Sequence, residues 1–322
     1  MSTTPLCSDR EEPRESKADG GSSVKPSRCY SVNSVGKDET SWIDGILSLD
    51  LAESIPVVGV SIAAITICTT FTLFFATGKT TESVCEEGKM GHCDSIKDWQ
   101  LIPTLSFTFV PWPGYIVSLF GMLTACILFF VSGEMENRIL YLQMRRLNLL
   151  GRQRIRGWCC CCFSVSFILS TARLVSTIVC ICLATCICCQ LRFNVSVHST
   201  AAFFLFIGGL LMVLLQQQIQ STILKCSNER DHEALLEWWQ EAEKAMRFKR
   251  WALLAYLLCF IGYSIAVVIR RHAVEPYSAA LEYVVVIALA IGLTTYTADI
   301  RIHKVHFGTC ESRLMVIENV TS

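Results

Sequence analysis

The residues best placed to do chemistry are few. His198 stands at the head of one long apolar run, and Glu282 lies a few residues into another. His272 falls in the short connection before that second run, after Arg270 and Arg271. A histidine beside a carboxylate is the minimum for moving a proton. The same trio also suits a pocket for a lipid headgroup, or polar side chains wetted at a membrane interface. Arg173 differs, because it sits about ten residues inside an apolar run. A cation buried in lipid costs several kcal/mol unless it is paired or hydrated. Arg173 therefore meets a lipid phosphate or an acidic group of the bundle, or it pairs with a carboxylate such as Glu282 and only holds the bundle together. We take His198, His272, Glu282 and Arg173 as a candidate polar site for a lipid headgroup, with no catalytic residue assigned.

The cysteines suggest modification rather than a metal. Cys85 and Cys93 face each other across a short polar stretch and would pair in an oxidising compartment, or else stay free or pair separately. His92 is adjacent, but no second ligand pair follows at a zinc-site spacing. Cys159, Cys160, Cys161 and Cys162 run consecutively after a basic connection. Such juxtamembrane cysteines are candidates for S-acylation, the alternative being small apolar filler at a helix end. Four consecutive residues cannot all point at one tetrahedral ion, so no metal is expected. Phosphate loops, nucleophile elbows and HExxH motifs are absent, and no cofactor is called for. Tyr141–Met144 and Leu235-Leu236 resemble sorting signals, and equally the apolar faces of helices.

These residues must be positioned by membrane spans. Six apolar runs reach the roughly 20 residues needed to cross a bilayer: 56–76, 114–132, 163–189, 200–222, 251–269 and 279–298. The expected fold class is all-α, a polytopic six-transmembrane-helix bundle with both termini cytosolic. Residues 1–54 read as a disordered cytosolic tail without a signal peptide, 55–300 as the transmembrane domain, and 301–322 as a cytosolic C-terminal tail. Orientation follows from Lys and Arg in the connections. Both tails and the second-to-third and fourth-to-fifth connections carry 21 of them, against six on the opposite face. Charge periodicity over 229–249 indicates a helical connection there.

Composition agrees. Of 322 residues, 52% are hydrophobic and 17% charged, where soluble domains run about 25% charged. Mean hydropathy is +0.44. Lys+Arg and Asp+Glu are 28 each, so the basic excess of a nucleic-acid binder is missing and no nucleic-acid partner is expected.

Several short segments carry a resemblance. Leu101-Ile102-Pro103-Thr104-Leu105-Ser106 precedes the second span, and Val197-His198 with Ala201-Ala202-Phe203 opens the fourth. Arg271-His272 and Leu281-Glu282-Tyr283-Val284-Val285 bracket the start of the last. In this order, over about 55–307, the chain resembles the FRAG/DRAM/SFK superfamily of six-span membrane proteins. It looks closest to the post-GPI-attachment lipid-remodelling branch. It departs from that branch in the second span, where Phe120–Cys126 holds neither His nor Arg. The resemblance implies a secretory-pathway protein of the Golgi or endoplasmic reticulum that assists GPI-anchor lipid remodelling. Its partners would be membrane lipids, GPI or anionic phospholipid. It is an accessory factor more than an enzyme. The alternative is a lysosomal or plasma-membrane regulator of autophagy or lipid signalling that acts through protein partners. A transporter ranks third, because no pair of interrupted helices marks a transport site.

Overall fold

A backbone in hydrocarbon has no water to bond with, so each apolar run must close its hydrogen bonds within itself as a helix. The computed structural model describes residues 42–47, 49, 51–79, 84, 105–146, 154–156, 162–189, 194–228, 236–269 and 275–304. Six of its helices are long and apolar enough to cross a membrane, and the chain is a multi-pass membrane protein. In order, the elements are α1 (Trp42–Leu47), a 3-10 turn (Ala52–Ser54), α2 (Ile55–Ala76) and the short α3 (Leu105–Thr108). The remaining helices are α4 (Gly114–Arg146), α5 (Val165–Cys188), α6 (Val195–Asn228), α7 (Leu236–Ile269) and α8 (Glu275–His303). A ribbon of two three-residue strands, β1 (Arg154–Arg156) and β2 (Cys162–Ser164), joins α4 to α5 in antiparallel register. The fold is otherwise all-helical, as expected.

The six long helices alternate in direction. Each packs on the next in sequence, and α2 closes the circuit on α8. Helix α4 also touches α6 and α8, which places it towards the middle. Both described chain ends lie at one end of the bundle, the terminal end. The opposite, loop end carries α3 and the α5–α6 junction.

Small residues let the helices approach, the usual solution where lipid removes the hydrophobic drive for association. At Gly121 of α4, a Cβ would fall 2.0 Å from Thr66 Oγ1 of α2. At Gly133 it would fall 2.6 Å from Ser176 Oγ of α5. The bundle wears its apolar residues outward: Ile65, Phe120, Ile127, Leu174, Ile181 and Leu258 are all exposed. Many of its polar residues face inward, among them Glu134, Glu136, Asn137, Gln216, Gln220, Lys249 and Asp299.

Two sequence expectations need correction. The spans 114–132, 200–222 and 251–269 are cores of helices of 33, 34 and 34 residues. Glu, Gln, Lys, Arg and Leu beyond the apolar runs are good helix formers and carry the helices on. The end of the segment read as disordered tail is also ordered. Ile43, Leu47 and Ala52 bury against Met135, Ile139 and Ile300. Arg138 donates Nε to Asp44 Oδ1 at 2.8 Å and Nη2 to Asp44 Oδ2 at 2.7 Å. Lys304 Nζ donates to the Leu49 carbonyl. Burial of three apolar side chains and a two-point ion pair is enough to hold so short a helix.

Candidate functional site: two polar layers in the bundle

The first layer lies at the loop end and is built on His198. Asn194 opens α6 there, its Oδ1 accepting from the Val197 amide at 3.1 Å, as an N-cap does. This sets His198 on the first turn, buried against the end of α5. His198 Nδ1 lies 3.1 Å from the carbonyls of Cys186 and Cys189. Carbonyls only accept, so Nδ1 carries a hydrogen, which in the neutral ring leaves Nε2 with a lone pair. Ser106 Oγ of α3 stands 3.0 Å from that Nε2 and donates to it. The ring is thus fixed in one tautomer between α3, α5 and α6. Glu282 on α8 is half-buried and near enough to Cys186 to act on it electrostatically. Next to it, the Tyr283 ring meets Phe71 of α2 edge-on at 6.1 Å. The layer offers a half-buried hydroxyl, an oriented imidazole and a nearby carboxylate, which are hydrogen-bonding groups suited to a polar headgroup.

Arg173 does not join this layer, contrary to expectation. It donates Nη2 to Glu134 Oε2 at 2.8 Å and Nε to the same oxygen at 3.2 Å. The Arg173 side chain is 62% exposed and that of Glu134 only 7%, so the cation reaches outward while its partner stays inside. Arg173 precedes Cys186 by 13 positions along α5, which is roughly 20 Å of helix. Its partner is therefore Glu134, and Glu282 is out of reach.

His272, Cys85, Cys93, Cys159, Cys160 and Cys161 lie outside the described residues, as does the side chain of Cys162, whose backbone forms β2. Tyr141 packs on the core of the terminal end, and Met144 is fully buried. That pair is a helix face and is not presented as an extended signal.

The second layer escaped sequence reasoning. It crosses the bundle towards the terminal end and joins α4, α6, α7 and α8. Lys249 Nζ of α7 donates to Glu136 Oε1 of α4 and to Gln220 Oε1 of α6, both at 3.1 Å, and to Asp299 Oδ2 of α8. Gln220 Nε2 donates to the other Asp299 oxygen at 3.0 Å. A second chain continues it: Tyr296 hydroxyl to Gln216 Oε1 at 2.6 Å, then Gln216 Nε2 to Asn137 Oδ1 at 3.2 Å. The Tyr296 ring lies 5.7 Å from the ammonium, within cation–π range. Lys249, Glu136 and Asp299 are all buried. Two carboxylates face one ammonium, which leaves a formal charge of −1 if both are ionised. Lys249 and Asp299 both lie just outside the apolar runs 251–269 and 279–298, where hydropathy alone would leave them in water. Instead they are each other's partners. The run Gln216-Gln217-Gln218 with Gln220, inside an otherwise apolar span, is the sequence signal that could have found this layer. Among the described residues no group of three His, Cys, Asp or Glu side chains is arranged to hold a metal ion.

Comparison with known proteins agrees with this architecture. The family model described as Frag1/DRAM/Sfk1/Cwh43P N-terminal domain matches residues 54–303. The chain belongs to that family. The match starts at the last residue of the 3-10 turn and ends at the last residue of α8, so the family domain is the six-helix bundle. It includes both polar layers and leaves out α1. No curated protein and no solved structure matches the chain.

Proposed function

We propose that this Frag1/DRAM/Sfk1-family protein assists the lipid remodelling of GPI anchors, or closely related lipid handling, in the Golgi or endoplasmic reticulum. Both termini are cytosolic in this reading. The orientation rests on the uneven distribution of Lys and Arg, which keeps its sense after buried Lys249 is removed from the count. It turns the His198 layer towards the lumen, where GPI anchors reside.

One observation carries the proposal. Ser106 and His198 belong to two of the segments that resemble the FRAG/DRAM/SFK superfamily, and they are bonded to each other although 92 positions apart. Segments that merely happened to look alike would have no reason to converge. The oriented imidazole and hydroxyl, with Glu282 nearby, can hold a phosphate or sugar hydroxyl at the membrane surface. Basic residues on the cytosolic face would add attraction for anionic lipid, about 1 kcal/mol per well-placed Lys or Arg.

The test is deletion of the gene, followed by measurement of GPI-anchored protein retained on the cell surface and of the acyl chains on those anchors. Premature release or altered chains, restored by the wild-type protein, support remodelling. Unchanged anchors together with a steady lysosomal location of the tagged protein overturn it in favour of a regulator.

A further inference from the structure

We infer that the outer face of α7 at the terminal end, built from Lys244, Arg247, Phe248, Arg250 and Trp251, is a binding site for an anionic phospholipid of the adjoining leaflet. It gives one place to the anionic-lipid attraction in the reading above, and it rests on that reading only in taking this leaflet as the cytosolic one.

Helix α7 runs unbroken from Leu236 to Ile269, so each of its faces passes continuously from water into the bilayer. Residues 251–269 rise about 28 Å, which is the thickness of the hydrocarbon core. Along them Leu254, Leu258, Ile261 and Ile265 are all exposed. Their spacing of four, three and four makes one stripe of the helix, and in a membrane span such a stripe faces acyl chains.

Followed back past the start of the apolar run, the same stripe continues through Trp251, then Phe248 and Arg247, then Lys244. Arg250 stands four residues before Leu254, on the same side. Trp251 is 71% exposed and Phe248 56%. Open aromatic rings at the mouth of a span are the usual anchors of a membrane interface. They set this part of the face against lipid.

The charges lie at the right depth. Arg247 and Lys244 precede Trp251 by about 6 and 10 Å along the axis, and the headgroup layer reaches roughly 5–8 Å beyond the core. Lys244, Arg247 and Arg250 are exposed, and none makes an ion pair among the described residues. The nearest carboxylates on α7, Glu241 and Glu243, come before Lys244 and so stand farther from the bilayer. Other cations at this end are engaged: Arg138 with Asp44, and Lys304 with the Leu49 carbonyl. A zwitterionic headgroup neutralises its own phosphate. An anionic one does not, and three unpaired cations beside its acyl chains supply what it lacks.

The test uses the full chain in bilayers of phosphatidylcholine with a minor fraction of brominated lipid, whose bromines quench nearby tryptophan. The difference between the wild type and W251F isolates the signal of Trp251. Brominated phosphatidylserine should quench Trp251 more than brominated phosphatidylcholine at the same fraction, and the excess should shrink in high salt. The preference should fall by up to about fivefold for each of K244Q, R247Q and R250Q, and vanish in the triple variant. These side chains are exposed, so the variants should fold as the wild type does. Equal quenching by the two lipids in the wild type, or a preference that survives in the triple variant, overturns the inference. No GPI anchor is present in this experiment, so its failure leaves the remodelling reading standing, and unchanged anchors in deleted cells would leave this site standing.

Discussion

The Lys249 ammonium meets the Glu136 carboxylate 3.1 Å away, across 113 positions of sequence, with both side chains closed to solvent. The contact ties α7 to α4, and through Asp299 and Gln220 the same ammonium reaches α8 and α6. One side chain thus fixes four helices in register. Breaking a buried pair by removing one partner typically costs 3–5 kcal/mol, whereas replacing every charged member with neutral groups is often tolerated. Lys249→Met should therefore lower stability by about 3–5 kcal/mol in a denaturant titration of the purified chain. The combination of Lys249→Met, Glu136→Gln and Asp299→Asn should recover most of the loss. Equal damage in both would show that shape, and not charge, matters here.

The Arg173–Glu134 pair should behave asymmetrically. Removing the largely exposed arginine leaves a buried carboxylate without its donor, a loss of about 1–3 kcal/mol. Arg173→Ala should destabilise the protein by that order. Adding Glu134→Gln should restore it, because the neutral amide no longer needs a cation. Thermal unfolding of the two variants in one detergent reads the difference. No recovery in the double variant would mean that Arg173 acts through the surrounding lipid.

The six spans are legible in the sequence because each apolar run is about a bilayer thick, and nothing tertiary is needed to see it. His198 is legible as well, since a histidine at the head of an apolar run stands out locally. Its partner Ser106 closes the segment Leu101–Ser106 before the second span, yet nothing local says that Ser106 and His198 touch. The Lys249 layer was hidden for a related reason. Glu136, Lys249 and Asp299 each lie within a few residues of where an apolar run ends, the position that hydropathy assigns to water. Only when the helices run on past the apolar stretch do these residues become interior, and their pairing is entirely non-local. The Arg173 pairing failed similarly: burial demanded an acidic partner, but the sequence offered Glu282 as readily as Glu134.

Helix α1 should release without unfolding the bundle. Besides buried Ile43 and Leu47 it is held by the bidentate Asp44–Arg138 pair, whose side chains are 29% and 21% exposed, so solvent weakens that pair to the order of 1 kcal/mol. Asp44→Ala should speed proteolytic cleavage within 42–54 while the melting temperature of the spans stays within a few degrees. Unchanged cleavage would show that Ile43 and Leu47 hold the helix alone.

The α2–α4 contact should be intolerant of a single methyl group. A Cβ at position 121 would collide with Thr66 Oγ1, which is itself committed to the Ile62 carbonyl at 2.7 Å. Gly121→Ala should cost about 1–3 kcal/mol, and Thr66→Ala in the same chain should relieve part of it. A double-mutant cycle measures the coupling; additive effects would contradict the close approach.

The most direct test of the lipid reading is rescue of deleted cells with Ser106→Ala and His198→Ala. Ser106→Ala removes one hydrogen bond, about 1 kcal/mol, so the protein should still reach its normal level and location. Anchor acyl composition and surface retention are then measured beside wild-type rescue. Failure of both variants to restore the anchors, at normal protein level, is the expected result. Full restoration by both would contradict the assignment of the His198 layer as the functional site.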